Sequence, residues 1–116
     1  MALRKLVERI TKPVEEQDRE DLDAFCAGLG CVRLDEIEAR VPVRVAGEIR
    51  SVRIVPRAGA PALEVTVNDG RGSVTGVFLG RRKILGISPG KRIIFEGVAS
   101  REGLEAQIFN PIYTLL

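Results

Sequence analysis

The sequence predicts a small, mainly β domain preceded by a helical segment. Of its 116 residues, 45% are hydrophobic and 29% are charged, a balance typical of a globular chain and not of a disordered one. A chain of this length suits one domain. From Val41 onward apolar residues alternate with polar ones, as in half-buried strands, whereas before it they recur at helical spacing. We therefore predict an N-terminal helical arm over residues 1–40 and a β-barrel over residues 41–116.

The helical arm is predicted from two apolar stripes, each spaced like one face of a helix. The first consists of Leu3, Leu6, Val7 and Ile10, and the second of Leu22, Phe25, Cys26 and Leu29. An acidic run between them suits the positive end of the second helix. Because the second stripe needs a surface to cover, we expect the arm to pack on the barrel; the alternative is that it masks a basic surface.

Five strands are predicted after residue 40, separated by turn-forming stretches rich in Gly, Pro and Asp. Alternation is clearest around Val43, Val65 and Ala106, and residues 73–79 and 92–100 complete the set. Glycines 47, 76 and 97 lie in the middle of strands, where they allow the sharp bends of a closed barrel.

One longer connection, residues 80–91, separates the third strand from the fourth. It contains Arg81, Arg82, Lys83, Ile84 and Leu85, for which we predict a short helix. Five strands with a helix between the third and the fourth are the layout of an OB fold, a Greek-key barrel. Another small barrel, such as an SH3-like one, is the alternative.

Three stretches of the barrel resemble the OB-type wedge domain of the RecG DNA helicases and small stand-alone bacterial OB-fold proteins. They are LEVTVNDGRGSVTGVFLG at residues 63–80, PGKR at residues 89–92 and NPIY at residues 110–113. The resemblance spans residues 41–116 and implies binding to DNA junctions or single strands. It does not imply helicase activity, because the sequence has no Walker-type phosphate loop. After Phe78 this chain has cations where the wedge domains have aromatic residues.

Composition argues against catalysis and metal binding. The chain has no His, which removes the commonest general base and metal ligand, and we predict a non-enzymatic protein without a cofactor. Its two cysteines, Cys26 and Cys31, are too few for a four-ligand zinc site and are either inert thiols or a disulfide. No apolar run resembles a signal peptide or a membrane span, so we expect a cytoplasmic protein with no membrane partner.

Charge is distributed unevenly along the chain. Residues 1–40 hold seven basic and ten acidic residues, a net charge of −3, whereas residues 41–116 carry +5. A basic barrel suggests an anionic partner. The candidate contacts are Arg50, Arg53, Arg57, Thr66, Arg71, Arg81, Arg82, Lys83, Arg101 and Tyr113.

Within this set, the three cations at 81–83 are placed at the start of the predicted helix. That end of a helix is unfavourable for positive charge, which suggests that an anion binds there. Arg57 and Arg101 are expected in the first and last hairpin loops, which flank the binding face, so that both contact a phosphate backbone. Tyr113 and Phe109 each either stack on a base or pack against the barrel.

The outer face of the second and third strands is expected to carry Glu64, Thr66 and Asn68 beside Thr75, Val77 and Leu79, a surface neither basic nor aromatic. We predict that the protein binds nucleic acid, single-stranded or forked DNA before RNA, mainly through charge contacts with the backbone. The alternative is a protein-interaction adaptor that uses the barrel face or the acidic arm.

Overall fold

Six β-strands form the protein as described by the computed structural model, which covers residues 30–102 and 105–116. They are β1 (Pro42–Arg57), β2 (Ala60–Asn68), β3 (Ser73–Leu79), β4 (Arg92–Glu102), β5 (Glu105–Phe109) and β6 (Ile112–Leu115). One 3-10 turn, Leu34–Glu36, precedes them. The prediction of a mainly β fold is therefore confirmed for the described residues. The two helices predicted for the arm fall on residues 2–29, outside the described residues.

Strand pairing closes the sheet into an OB-like barrel. β1 pairs with β2, β2 with β3, and β5 with β4, all antiparallel, whereas β3 and β5 run parallel. The first half of β1 also pairs with β4, from Pro42 opposite Val98 to Glu48 opposite Arg92, which completes the ring. This ring of five strands matches the barrel predicted from the sequence.

A β-bulge at Arg50 divides β1 into two halves. Ile49 lies opposite Val67 and Ser51 opposite Thr66, so Arg50 is the extra residue. Before the bulge the odd-numbered residues point into the barrel, as the buried Val45 and Ile49 show. Since an inserted residue reverses the alternation, the odd-numbered residues after Arg50 point outward.

The core is apolar and centres on Phe95, which is fully buried with Ile49, Ile93 and Ile108. Its ring meets that of Phe78 edge-on, with centroids 6.0 Å apart and planes at 65°. Gly76 lies directly against the Phe95 ring: a Cβ atom at this position would come within 2.7 Å of it and 3.3 Å of Pro111. Glycine is thus needed here for close packing.

We expect Gly76→Ala to lower the free energy of unfolding by about 1–3 kcal/mol, the usual cost of overpacking. The added methyl group meets two ring atoms of Phe95, and that buried ring has no space into which it can move. Urea denaturation monitored by circular dichroism measures the change. On a Phe95→Leu background, which lacks the clashing atoms, the cost of Gly76→Ala falls; an equal cost on both backgrounds would contradict this explanation.

The sixth strand was not predicted from the sequence. It follows Asn110, whose positive φ of 48° turns the chain out of β5 so that Ile112–Leu115 pairs with β4. The backbone N–H of Asn110 donates to the Val77 carbonyl (2.7 Å), and its side-chain oxygen accepts from the Leu79 N–H (3.0 Å). Asparagine tolerates this left-handed conformation and continues the pairing with β3 through its side chain.

The short helix predicted at residues 81–85 is wrong. Residues 80–91 form turns without a helix, and Gly80 and Gly86 both have positive φ, 74° and 87°. The five residues between these glycines are too few for a stable helix. The connection instead inserts Ile84 and Ile87 into the core, joined by a hydrogen bond from the Ile87 N–H to the Ile84 carbonyl.

Residues 31–40 are attached to the barrel by buried side chains and by hydrogen bonds. Leu34 and Ile37 are buried in the core, and the N–H groups of Val32 and Arg40 donate to the carbonyls of Arg44 and Ala99. The buried Asp69 carboxylate accepts the Leu34 N–H at 3.0 Å. A truncation that leaves the barrel intact therefore has to retain these residues.

Candidate nucleic-acid interface

Outward-pointing residues of β1, β2, β3 and β5 form one continuous surface, called here the outer face. The strand registers place them in two rows across the sheet. One row is Ser51, Thr66, Thr75 and Gln107; the other is Arg53, Glu64, Val77 and Phe109. Arg57 follows at the hairpin end of β1, opposite Ala60. Thr66, a candidate from the sequence, thus lies at the centre of this surface.

As expected, the residues that β2 and β3 contribute to this surface are neither basic nor aromatic, but the neighbouring strands β1 and β5 add both kinds of residue. The bulge at Arg50 turns Arg53 and Arg57 outward, and the parallel pairing of β5 brings Phe109 beside Val77. Arg50 itself is exposed at the bulge. Arginine and phenylalanine therefore occur on the same face as Thr66, and a flat surface that combines charge with an aromatic ring suits single-stranded nucleic acid.

Glu64 holds the two outward arginines in place. Its side chain is 9% exposed, and its two oxygens accept separate contacts: Oε1 from Arg53 Nη2 at 3.3 Å, and Oε2 from Arg57 Nε and Nη2 at 3.1 and 3.0 Å. The Arg53 side chain remains 68% exposed, against 32% for Arg57. Two guanidinium groups around one carboxylate leave this cluster with one net positive charge.

Phe109 is the aromatic residue of the outer face. This residue is 43% exposed, and the guanidinium carbon of Arg57 lies over its ring, 5.5 Å from the centroid. Val77, its neighbour across the pairing, points outward and yet has no exposed surface, because the surrounding side chains cover it. The sequence left the role of Phe109 open. It predicted the strand that contains Phe109, but it did not show that this strand pairs with β3.

A second group of cations lies beyond the end of β3. Arg81, Arg82 and Lys83 are all exposed and are separated by Gly80 from Leu79, which is 46% exposed. The Gly80 N–H donates to the Pro61 carbonyl (2.8 Å), which fixes this turn beside the start of β2. Arg57 lies opposite Ala60 at the same end. Because residues 80–91 form no helix, no helix dipole acts on these cations. Their exposure and location nevertheless favour a contact with an anion.

Arg101 and Arg71 lie elsewhere. Arg101 pairs with the core residue Ala106, so it is on the inward side of its strand, and its guanidinium donates to the Ile37 carbonyl (3.1 Å). The prediction that Arg57 and Arg101 flank one binding face is therefore wrong. Arg57 lies beside the start of β2, whereas Arg101 lies level with the other end of β2 and β3. Arg71 is half-buried in the turn between β2 and β3, whose N–H groups bind Asp69.

Tyr113 packs at the mouth of the barrel. It lies opposite Phe95, and its ring meets that of Phe78 edge-on, with centroids 5.7 Å apart and planes at 88°. The ring is 38% exposed. Of the two alternatives considered for this residue, packing against the barrel is the one that the structure shows, on the inward side of β6 and away from the outer face.

Within residues 30–102 and 105–116, no three His, Cys, Asp or Glu side chains converge as metal ligands would. Cys31 is a free, half-buried thiol packed against Ala46 and Ile94, and Cys26 lies outside the described residues. The same part of the chain contains no helix long and apolar enough to span a membrane.

Several solved structures are similar to this chain, and two of them show the shared fold. One is a chain of the S. pombe Stn1–Ten1 complex, with a TM-score of 0.52 and 19% identity over 65% of this chain and 57% of that one. The other is the replication factor A related protein from Methanobacterium thermoautotrophicum, with a TM-score of 0.56 and 14% identity over 74% of this chain and 90% of that one. The shared fold is an OB-like barrel. At these identities the similarity extends to the fold alone. No protein-family model matches the sequence, and no curated protein matches it.

Proposed function

We propose that the protein binds single-stranded nucleic acid on the outer face, DNA before RNA, without catalysing a reaction. The observation that carries this proposal is the location of Arg53, Arg57 and Phe109 on one face, next to the exposed cations 81–83. Charged side chains bind the phosphate chain and flat groups stack on unpaired bases, the combination that sequence-tolerant single-strand binding needs. A cytoplasmic location stays a prediction.

The comparisons support this proposal through the fold. One similar structure is related by its name to replication factor A, and OB folds of that class bind single strands along a positive groove. Binding to forked DNA, which the resemblance to RecG wedge domains implies, stays a prediction. Unlike the wedge domains, this protein has its outer-face aromatic residue, Phe109, on β5, and the stretch after β3 carries cations.

Fluorescence anisotropy with labelled single-stranded, duplex and forked DNA and with RNA of equal length tests the proposal. We expect the single strand to bind most tightly, with log affinity falling linearly as log salt rises. Four phosphate contacts, from Arg53 and residues 81–83, give a slope of about −3 at roughly 0.7 for each contact. A slope near zero, or no binding at about 50 mM salt, would exclude a nucleic-acid interface.

A second candidate function, protein interaction, is favoured by β6. Among the described strands, β4 alone pairs with it, and its four residues include no charge to discourage pairing with another chain. Ile112 is 70% exposed and Leu116 is 48% exposed. An added strand from a partner would pair with this edge. Such binding would depend little on salt, which distinguishes it from binding to phosphates.

Deleting residues 1–29 tests whether the arm masks the interface. If the arm covers basic surface, the truncated protein binds single-stranded DNA more tightly; if the arm packs as part of the core, the melting temperature falls and affinity changes little. We expect the second result, because of the apolar stripe at Leu22, Phe25, Cys26 and Leu29. Tighter binding by a truncated protein of unchanged stability would contradict it. Residues 31–40 are retained, since Leu34 and Ile37 are core residues.

A further inference from the structure

We propose that the Arg57 guanidinium and the Phe109 ring form a stacking site for one unpaired base, and that Glu64 is the positioning residue that keeps Arg57 away from the phosphates. This inference rests on the proposed function and assigns separate tasks to the two arginines of the outer face. Arg57 binds a base, whereas Arg53 and the cations at 81–83 bind the backbone.

The hydrogen bonds of Arg57 to Glu64 disfavour a contact between Arg57 and a phosphate. Nε and Nη2 form one of the two edges with which an arginine makes a bidentate contact to a phosphate or carboxylate, and both donate to Glu64 Oε2. The charge of Arg57 is also offset by this nearly buried carboxylate. A phosphate would have to displace Glu64 and leave it without its partner in a poorly hydrated position, which is unfavourable.

The Arg57 guanidinium and the Phe109 ring lie close together and are both exposed. The guanidinium carbon lies 5.5 Å from the ring centroid, and both side chains retain exposed surface on the outer face, 32% for Arg57 and 43% for Phe109. Unpaired bases stack on guanidinium planes as well as on aromatic rings. Val77, which pairs with Phe109, is fully buried and gives the ring a rigid neighbour.

Arg53 differs from Arg57 in each of these respects. It makes one contact to Glu64, at 3.3 Å from a single Nη2 atom, and its side chain is 68% exposed. Its Nε atom and its other terminal nitrogen have no hydrogen bond to Glu64 in the structure. Arg53 is therefore placed to contact phosphate while Glu64 holds Arg57.

Two oligonucleotides of equal length, oligo-dT and an abasic oligomer with the same number of phosphates, separate the two tasks. Arg57→Lys keeps the charge and removes the plane, and Phe109→Leu removes the ring. We expect each to weaken binding of oligo-dT about tenfold, with the salt slope and the affinity for the abasic oligomer unchanged. Arg40→Lys, the matched control at an exposed position outside the outer face, leaves both affinities unchanged.

Glu64→Gln provides a readout that a purely structural role would not change. Loss of the carboxylate frees Arg57 to bind phosphate, so we expect the salt slope with the abasic oligomer to steepen by about 0.7 while the preference for oligo-dT shrinks. Circular dichroism and thermal melting show whether each variant is folded. An Arg57→Lys variant that weakens both oligomers equally, or neither, overturns the stacking site, as does a Glu64→Gln slope that does not change.

Binding by the wild-type protein distinguishes failure of the proposed function from failure of the stacking site. If the wild-type protein binds neither oligomer in a salt-dependent manner, the proposed function is excluded and the stacking site with it. If the wild-type protein binds both oligomers equally, with a clear salt slope, the proposed function stands and the stacking site is excluded. A preference of the wild-type protein for oligo-dT that Arg57→Lys and Phe109→Leu both abolish supports the site.

Discussion

Phe95→Ala is expected to lower the free energy of unfolding by about 3–5 kcal/mol, the largest effect of any single substitution considered for this barrel. Phe95 has no exposed surface, its ring packs against Phe78 and Gly76, and it lies opposite Tyr113 of β6. Its removal leaves a cavity that the fully paired strands around it have little freedom to fill. Since small domains are stable by about 5–15 kcal/mol, this loss is a large part of the total.

Chemical denaturation monitored by circular dichroism measures the effect, and Phe109→Ala is the matched control. The two substitutions remove the same atoms, but Phe109 is 43% exposed, so we expect its loss to cost about 1 kcal/mol or less. If Phe95→Ala leaves too little folded protein to measure, Phe95→Leu is used, with an expected cost between those of Phe109→Ala and Phe95→Ala, because it also leaves a cavity. Equal costs at positions 95 and 109 would contradict the packing described for the core.

The barrel was predictable from the sequence because burial on one side of a strand leaves a period of two residues. Val43, Val65 and Ala106 are each in a strand and buried, as their alternation with polar neighbours predicted. β6 was missed because its four residues are all exposed and follow Pro111, so they show no alternation. Its place is set by pairing with β4, a long-range contact that local pattern does not encode.

The candidate site could be predicted only in part, because its geometry depends on strand register. The pattern of β1 gives no sign of the extra residue Arg50, and yet this bulge decides that Arg53 and Arg57 point outward. Their proximity to Phe109 depends in addition on the parallel pairing of β3 with β5. Sequence composition identified the arginines as candidates, whereas the structure was needed to show which of them share a face.

The conformation of Gly80 and Gly86 explains why the helix predicted at residues 81–85 does not form. A connection with Arg81, Arg82 and Lys83 followed by two apolar residues resembles the start of a helix, but the glycines on either side adopt positive φ and divide it into turns. The apolar residues were nevertheless informative, since Ile84 is buried in the core. The three cations are therefore attached to an anchored turn, which keeps them at the same end of the barrel as Arg57.

Replacing Arg81, Arg82 and Lys83 together with alanine is expected to weaken binding to single-stranded DNA by about 100-fold at 0.1 M salt. Each lost phosphate contact removes roughly 0.7 from the slope of log affinity against log salt, so three contacts reduce it by about 2. The parent and the variant converge near 1 M salt, where the electrostatic contribution vanishes. Because backbone contacts carry no base information, every sequence is weakened about equally.

A series of variants makes this prediction quantitative. Arg82→Ala is expected to change the salt slope by about 0.7, Arg81→Ala with Arg82→Ala by about 1.4, and the triple variant by about 2.1. Arg40→Gly is the matched control: it removes an exposed cation near Ala99, distant from Leu79 along the strands, and glycine accepts the positive φ of 67° at that position. Stability changes by no more than about 0.5 kcal/mol in the alanine series, since all three side chains are exposed. A triple variant with the affinity and salt slope of the parent would remove these cations from the interface and favour protein interaction through β6.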